Sequence, residues 1–175
     1  PDDAAIVYCI SRKDTERVAD HLAAVGLKAV AYHAGLDPNT RRKISEQFAR
    51  EQVNIVVATV AFGMGIHRAN VRCVVHESMP KSIEAYQQET GRAGRDGEPA
   101  EAWLTYGLGD LVMLQKMIES SDAGEERRWL ERRKLDTLLG YCESTRCRRQ
   151  VLLASFDEVY PKPCGNCDNC LEPAE

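Results

Sequence analysis

Short, nearly continuous apolar runs alternate with segments of helical spacing between residues 4 and 106. Such runs are typical of strands that are covered on both faces of a sheet. Ser11 and Asp37 are N-caps for the first two helical segments, and Gly26 ends the first of them. The alternation predicts a parallel sheet with right-handed crossovers, whose ligands bind at the carboxyl ends of the strands. The predicted strands span residues 4–10, 28–33, 54–60, 72–77 and 100–106.

The spacing becomes purely helical after residue 107. Leu111, Leu114 and Ile118 fall on one helix face, and residues 135–142 repeat the same pattern. Prolines at 161 and 163, followed by a cluster of cysteines, predict a closing loop. We therefore expect two domains, an α/β lobe over residues 1–108 and a small helical domain over residues 109–175.

Composition and charge exclude several classes of protein. With 175 residues, 43% hydrophobic and 29% charged, the chain is neither a disordered tail nor a low-complexity linker. A net charge of −4 argues against a general polyanion binder, but residues 127–149 hold eight basic and three acidic side chains. This local excess suits either phosphate or a solvated helix face, and both interpretations stay open.

No apolar stretch approaches the roughly 20 residues that span a bilayer, and no signal peptide opens the chain. We therefore expect a cytoplasmic protein with no membrane partner. Because residue 1 is Pro rather than Met, we also expect a piece of something longer.

The cysteines carry the first chemical signal. Cys164, Cys167 and Cys170 follow the spacing C-x2-C-x2-C, and sixteen residues separate Cys147 from the first of them. Four thiolates suit tetrahedral Zn²⁺, and a closed set of four sulfurs leaves no position for catalysis. A ferredoxin-type iron–sulfur run requires a further Cys at position 174, which is Ala. A structural zinc site is therefore the favoured interpretation.

Seven cysteines are present in all, so three remain after these four. Cys142 competes with Cys147 for the fourth ligand position, but it belongs to an apolar helical stripe and is expected in the core. Cys9 and Cys73 lie within predicted strands and are also expected in the core.

Two segments follow predicted elements at the edge where ligands bind. Residues 58–66 come directly after a buried strand and contain Gly63 and Gly65, which permit close approach of the backbone to a ligand. Residues 88–95 place Arg92 and Arg95 three positions apart, each just after a glycine, at the end of a helix. Arginine suits bidentate phosphate contact. The alternative is that both arginines only cap helix carbonyls.

These segments resemble known helicase motifs. Residues 58–66 and 88–95 are similar to motifs V and VI of the second RecA-like domain of superfamily-two helicases, and residues 8–12 and 32–36 resemble motifs IV and IVa. Together with residues 145–149 and the cysteine spacing, they resemble the RecQ DNA helicases over essentially the whole chain. The resemblance implies a RecA-like parallel sheet flanked by helices, followed by a small helical zinc-binding domain.

The resemblance implies roles for the nucleotide-facing residues. Arg95 is expected to be the arginine finger that reaches the γ-phosphate of an ATP held by the first RecA-like lobe. Gln88 and Arg92 are expected to support the nucleotide and the contact between the lobes. Gly63 and Gly65 are expected to let the motif V loop approach nucleotide or DNA.

Five further residues match motif positions that contact DNA: Ser11, Arg12, His33, Gly35 and Thr59. Their expected partners are the phosphates of single-stranded DNA, which carry no sequence information. Plain alternatives exist for three of them, since Ser11 caps a helix, Thr59 ends a strand and His33 suits a core position.

The chain departs from the family pattern in two places. Ser78 stands where relatives often carry Asp, so any role of that Asp in the family is in doubt for this chain. Gln87 occupies a position that is commonly Tyr. The sequence contains no G-x-x-x-x-G-K-[ST] segment, and its one Asp-Glu pair, at 157–158, adjoins the cysteine loop.

We therefore expect no ATP hydrolysis by this chain alone, with ATP and Mg²⁺ held mainly by the first lobe of a full-length parent. The alternative function is a non-enzymatic zinc-stabilised module that binds nucleic acid or protein through residues 127–149.

Overall fold

The structure is a computed structural model that describes residues 3–59 and 68–173. Its five strands form one parallel sheet in the order β2-β3-β1-β4-β5, which confirms the predicted α/β class. The strands are β1 (Ala4–Tyr8), β2 (Ala29–Tyr32), β3 (Ile55–Ala58), β4 (Val71–His76) and β5 (Glu101–Leu104).

Seven helices are described in these ranges. The first three follow strands, as the alternation predicts, and the last four lie in the C-terminal part of the chain. They are α1 (Arg12–Ala24), α2 (Pro38–Ala49), α3 (Ile83–Thr90), α4 (Leu108–Glu119), α5 (Glu125–Glu143), α6 (Arg148–Ala154) and α7 (Asp168–Leu171). None of these helices is long and apolar enough to cross a bilayer.

Local sequence signals place the ends of α1 and α2. The Ser11 hydroxyl accepts a hydrogen bond from the Asp14 amide, and the Asp37 carboxylate accepts from the amides of Asn39 and Thr40. Both helices therefore begin with satisfied backbone donors. Gly26 has φ +89°, which is the left-handed conformation expected of a C′ glycine.

The sheet is covered on both faces in its centre. Phe48 from α2 packs with Val56 and Val74 against one face, and Ala19 from α1 packs with Val57 against the other. The central strands therefore have the two-sided burial that their apolar runs predict. Strand β5 differs, because it lies at the sheet edge and its first three residues are exposed.

The chain divides into two compact units. One contains the residues up to Pro80 together with Gln88–Leu111, and the other contains Lys81–Gln87 together with the residues from Val112 onward. Leu135 and Leu138 on α5 are buried in the second unit, where Tyr86 also packs against Tyr141 with ring centroids 5.3 Å apart. The boundary predicted at residue 108 stays a prediction.

Three expectations need correction. Helices α6 and α7 were not predicted, because seven and four residues are too few for a periodic signal. Cys9 is buried as expected, but Cys73 is only partly buried because its strand pairs with the exposed β5. Cys142 is likewise only partly buried.

Candidate zinc site and arginine site

The structure brings four cysteines of the C-terminal unit together. The sulfur atoms of Cys147, Cys164, Cys167 and Cys170 all lie within 4.8 Å of one another, and Cys142 is not among them. A zinc tetrahedron with Zn–S bonds of about 2.3 Å has sulfur–sulfur edges of about 3.8 Å. Cys164 Sγ and Cys170 Sγ are 3.9 Å apart, so the residues fit the metal.

Backbone amides point at two of these sulfurs. The Cys164 N–H donates to Sγ of Cys147 over 3.2 Å, and the Arg148 N–H donates to Sγ of Cys167 over 3.3 Å. Burial is the largest single influence on the pKa of Cys147 and raises it, but hydrogen bonds from the amides of Cys164 and Gln150 and from the neighbouring thiols together lower this pKa to about 6. At Cys147 the thiolate, the form that binds Zn²⁺, is thereby favoured.

Arg148 ties this cluster to the end of α5. Its Nε and Nη2 atoms donate to the Asp168 carboxylate at 2.9–3.1 Å, and its Nη1 atom donates to the carbonyls of Tyr141 and Cys142 at 2.6 and 3.0 Å. The Arg148 hydrogen bond also lowers the pKa of Asp168. Asn169 adds bonds of 2.7 Å from its side-chain amide to two carbonyls upstream of α6. These contacts fix the orientation of two ligand-bearing turns.

Part of the basic run at residues 127–149 is paired with neighbouring carboxylates. Arg128 and Arg132 both pair with Glu125, at 2.9 and 2.5 Å, and Lys134 lies 3.6 Å from Glu131. Glu125 lies just outside residues 127–149, so a count of charges within those residues overstates the local excess of positive charge. These pairs agree with a solvated helix face, and the phosphate-binding interpretation stays a prediction.

The motif VI arginines follow α3. Arg95 is exposed and its Nε donates to the Gly91 carbonyl over 3.0 Å, so it does cap a carbonyl as the alternative interpretation expects. Arg92 is half-buried and Gln88 is exposed. Gly94 has φ +64°, and a Cβ there would lie 2.9 Å from the Glu98 carbonyl oxygen. Glycine at this position therefore permits the turn that separates the two arginines.

A buried cluster of Tyr8, His76 and Glu89 adjoins Arg92, and the sequence motifs do not predict it. Tyr8 hydrogen-bonds to Arg92 and stacks on His76 with ring centroids 5.3 Å apart. His76 Nε2 lies 2.7 Å from Oε2 of Glu89. Burial raises the pKa of Tyr8 to about 12. Tyr8 and His76 end two neighbouring strands, so their place at the ligand-binding edge was the available signal.

Three residues of the expected DNA-contacting set are close neighbours. A Cβ on Gly35 would lie 3.0 Å from His33 Nδ1 and 3.2 Å from Arg12 Nη1, so only glycine fits there comfortably. His33 is buried, its Nδ1 accepts from the Gly35 amide, and its Nε2 faces Glu16 at 3.1 Å. Both ring nitrogens are engaged, which favours the core interpretation of His33.

The remaining expected residues are placed as follows. Ser11 caps α1, Arg12 is exposed in its first turn, and the Thr59 amide donates to the Tyr32 carbonyl beyond the end of β3. Gly63 and Gly65 lie outside the described residues. The nucleotide- and DNA-binding roles expected of Ser11, Arg12, Thr59, Gly63 and Gly65 stay predictions.

Ser78, which departs from the family pattern, stabilises the structure through a hydrogen bond. The Ser78 hydroxyl is buried and accepts a hydrogen bond from the Ile10 amide over 2.9 Å. Its neighbour Glu77 pairs with Arg17 at 2.9 Å. The serine therefore joins the segments that follow β1 and β4.

Comparison with known families shows which protein family this chain belongs to. The family model for the helicase conserved C-terminal domain matches residues 1–97, which is more than half of the chain. The chain belongs to this helicase family. The RecQ zinc-binding family model matches residues 108–171, so the resemblance to RecQ helicases is confirmed.

The helicase relatives are much longer than this chain. ATP-dependent DNA helicase RecQ of Haemophilus influenzae is 48% identical over 170 residues, which cover 97% of this chain and 27% of the relative. ATP-dependent DNA helicase Q1 of Rattus norvegicus is 42% identical over 172 residues, with the same two coverages. The chain thus spans about a quarter of the length of these relatives.

Solved structures agree with the helicase fold. A DEAD box protein from Methanococcus jannaschii superposes with a TM-score of 0.55 and 26% identity, over 68% of this chain and 34% of that one. The DEAD-box protein SrmB of Escherichia coli gives a TM-score of 0.57 at 24% identity, over 70% of this chain and 72% of that one. The predicted RecA-like sheet followed by a zinc-binding domain is confirmed.

Proposed function

We propose that this chain is the C-terminal half of the core of an ATP-dependent RecQ-type DNA helicase. The observation that carries the proposal is the order of two matches in one chain, a helicase C-terminal domain followed by a RecQ zinc-binding domain. Relatives matched over 97% of this chain are named ATP-dependent DNA helicases. The proposed partners are DNA, single-stranded or at a duplex junction, and a first RecA-like lobe of the same parent chain.

In this proposal Arg95 acts as the arginine finger. ATP with Mg²⁺, held mainly by the first lobe, supplies the γ-phosphoryl group that is transferred to water. An exposed guanidinium carried on the turn after α3 is able to approach a phosphate brought by another lobe. Its charge would stabilise the transition state, while Arg92 and Gln88 orient the nucleotide.

Single-stranded DNA is the proposed track. Arg12 is exposed near the carboxyl ends of β1 and β2, and the Ser11 and Thr59 segments adjoin the same edge. Contacts from such residues to phosphates position the strand without reading its sequence. His33 and Gly35 contribute by shaping this surface, because the Gly35 backbone packs against the buried imidazole.

The zinc ion has a structural role in this proposal. Four cysteine ligands fill a tetrahedral site, and Arg148 and Asn169 fasten the surrounding turns. Zinc would therefore hold the C-terminal unit in its folded form rather than take part in ATP hydrolysis.

The test is Arg95→Ala in the full-length protein, assayed for DNA-stimulated ATP hydrolysis. Loss of an arginine finger lowers kcat by about 10³–10⁵ in related phosphoryl-transfer systems. The matched control is Arg127→Ala, which removes an exposed arginine from α5 and is expected to leave kcat unchanged. Undiminished hydrolysis by Arg95→Ala would contradict the proposal, as would ATP hydrolysis by the isolated 175-residue chain.

A further inference from the structure

The side chain of Arg92 has a defined partner in the sheet. Tyr8 is the last residue of β1, and its side chain hydrogen-bonds to the Arg92 guanidinium. Tyr8 is only 3% exposed, so its ring is fixed by packing. A tyrosine has two side-chain torsions and a rigid ring, and is therefore well suited to fix the direction of a long, flexible arginine.

Tyr8 is itself held by a buried pair. The register of the sheet sets Tyr8 opposite His76, and the two rings stack at an interplanar angle of 20°. His76 is 1% exposed and Glu89 is 4% exposed, with Nε2 and Oε2 2.7 Å apart. Because Glu89 belongs to the last turn of α3, this pair joins the end of β4 to the helix that leads into Arg92.

Burial of the Glu89 carboxylate destabilises the fold, and packing alone does not explain why an acid is present there. Its second carboxylate oxygen, Oε1, is buried and has no hydrogen-bond partner within the described ranges. A buried carboxylate with an unsatisfied oxygen destabilises a fold, and such groups concentrate at functional sites. The other oxygen of Glu89, Oε2, is used by His76, so Leu or Met at this position would leave the buried imidazole Nε2 without that partner. The acid therefore holds His76 in place beside the segment that carries Arg92.

We propose that the Tyr8 hydroxyl is a positioning group for Arg92, and that the His76–Glu89 pair holds the Tyr8 ring and the end of α3 in place. The proposal rests on the proposed helicase function, in which Arg92 supports the nucleotide. Tyr8 acts through Arg92 and touches no reacting atom. A phenol is neutral near pH 7, and burial raises the pKa of Tyr8 further, to about 12, so Tyr8 serves as a hydrogen-bond partner without adding charge.

Tyr8→Phe in the full-length protein tests this role. The substitution keeps the ring that stacks on His76 and removes only the hydroxyl. We expect kcat of DNA-stimulated ATP hydrolysis to fall by about ten- to a hundredfold, the size associated with misplacement by about 1 Å. We expect KM for ATP, zinc content and the thermal midpoint to stay close to those of the wild type. The matched control is Tyr141→Phe, which removes a buried hydroxyl 3.5 Å from that of Tyr86 and should leave kcat unchanged.

A double-mutant cycle adds a readout that a purely structural role would not move. In an Arg92→Ala background, Tyr8→Phe should cause no further loss of kcat, because the two residues act as one unit. Wild-type kcat in Tyr8→Phe, additive losses in the cycle, or a lowered midpoint with normal kcat would each overturn the positioning role. Arg95→Ala is assayed alongside, since its retention of activity would instead overturn the proposed function.

Discussion

The Arg148 guanidinium binds the Asp168 carboxylate at 2.9–3.1 Å and also donates to the Tyr141 carbonyl over 2.6 Å. Each of the two charged residues directly follows a cysteine of the cluster, Cys147 or Cys167. The contact therefore connects both ligand-bearing turns to the end of α5. The charged side chains next to these two cysteines therefore help to hold the zinc-binding geometry.

Loss of this contact should weaken zinc binding. We expect Arg148→Ala to lower zinc affinity of the isolated chain by about 10–100-fold, the range typical of residues that orient metal ligands. Competition with a chromophoric chelator measures this affinity directly. Arg146→Ala is the control, because Arg146 is exposed and its hydrogen bonds to Ser144 and Asn169 are made by its backbone. Equal affinities for the two variants would show that Arg148 does not support the site.

The N-cap of α2 predicts a pH dependence. The Thr40 hydroxyl, with help from backbone amides, lowers the pKa of Asp37 below its ordinary value of about 3.9. A carboxylate with a lowered pKa stabilises the fold above that ordinary value, and the benefit is lost as pH falls through the folded-state pKa.

Asp37→Ala should therefore lower the thermal midpoint at pH 7, and the difference from wild type should shrink below about pH 4. Thermal unfolding at several pH values measures this difference. Asp20→Ala, which removes an exposed carboxylate from α1, should show no such trend. A difference that stays constant with pH would mean that the ionised cap contributes nothing.

DNA binding should depend on Arg12. If Arg12 contacts a phosphate, Arg12→Ala weakens binding of the full-length protein to single-stranded DNA equally for different sequences. It also reduces the slope of log affinity against log salt by about 1. Fluorescence anisotropy over a salt series gives both quantities. The neighbouring exposed Lys13 supplies the control variant Lys13→Ala, and identical slopes for the two variants would argue against a specific Arg12 contact.

Local signals predicted much of this molecule. The caps at Ser11 and Asp37, the apolar central strands and the cysteine spacing are each readable within a few residues, and the structure contains the corresponding elements. Their physical cause is local, because a cap needs only its own first turn and a C-x2-C turn needs only its own backbone.

The missed features depend on distant residues. Tyr8 and His76 are brought together by strand register across 68 positions, which no periodicity reveals. A count of charges within residues 127–149 also leaves out Glu125, which stands just outside this run and pairs with Arg128 and Arg132. Arg148 donates to the carbonyls of Tyr141 and Cys142, and the sequence pattern does not display such contacts.

Binding of a transition-state analogue by the full-length protein tests the arginine-finger role of Arg95 most directly. An arginine finger stabilises the transferring phosphoryl group more than the ground state. Arg95→Ala should therefore bind ADP as wild type does, but lose affinity for ADP with aluminium fluoride, Mg²⁺ and DNA by about 10³-fold or more. Wild-type affinity of Arg95→Ala for that analogue would contradict the account.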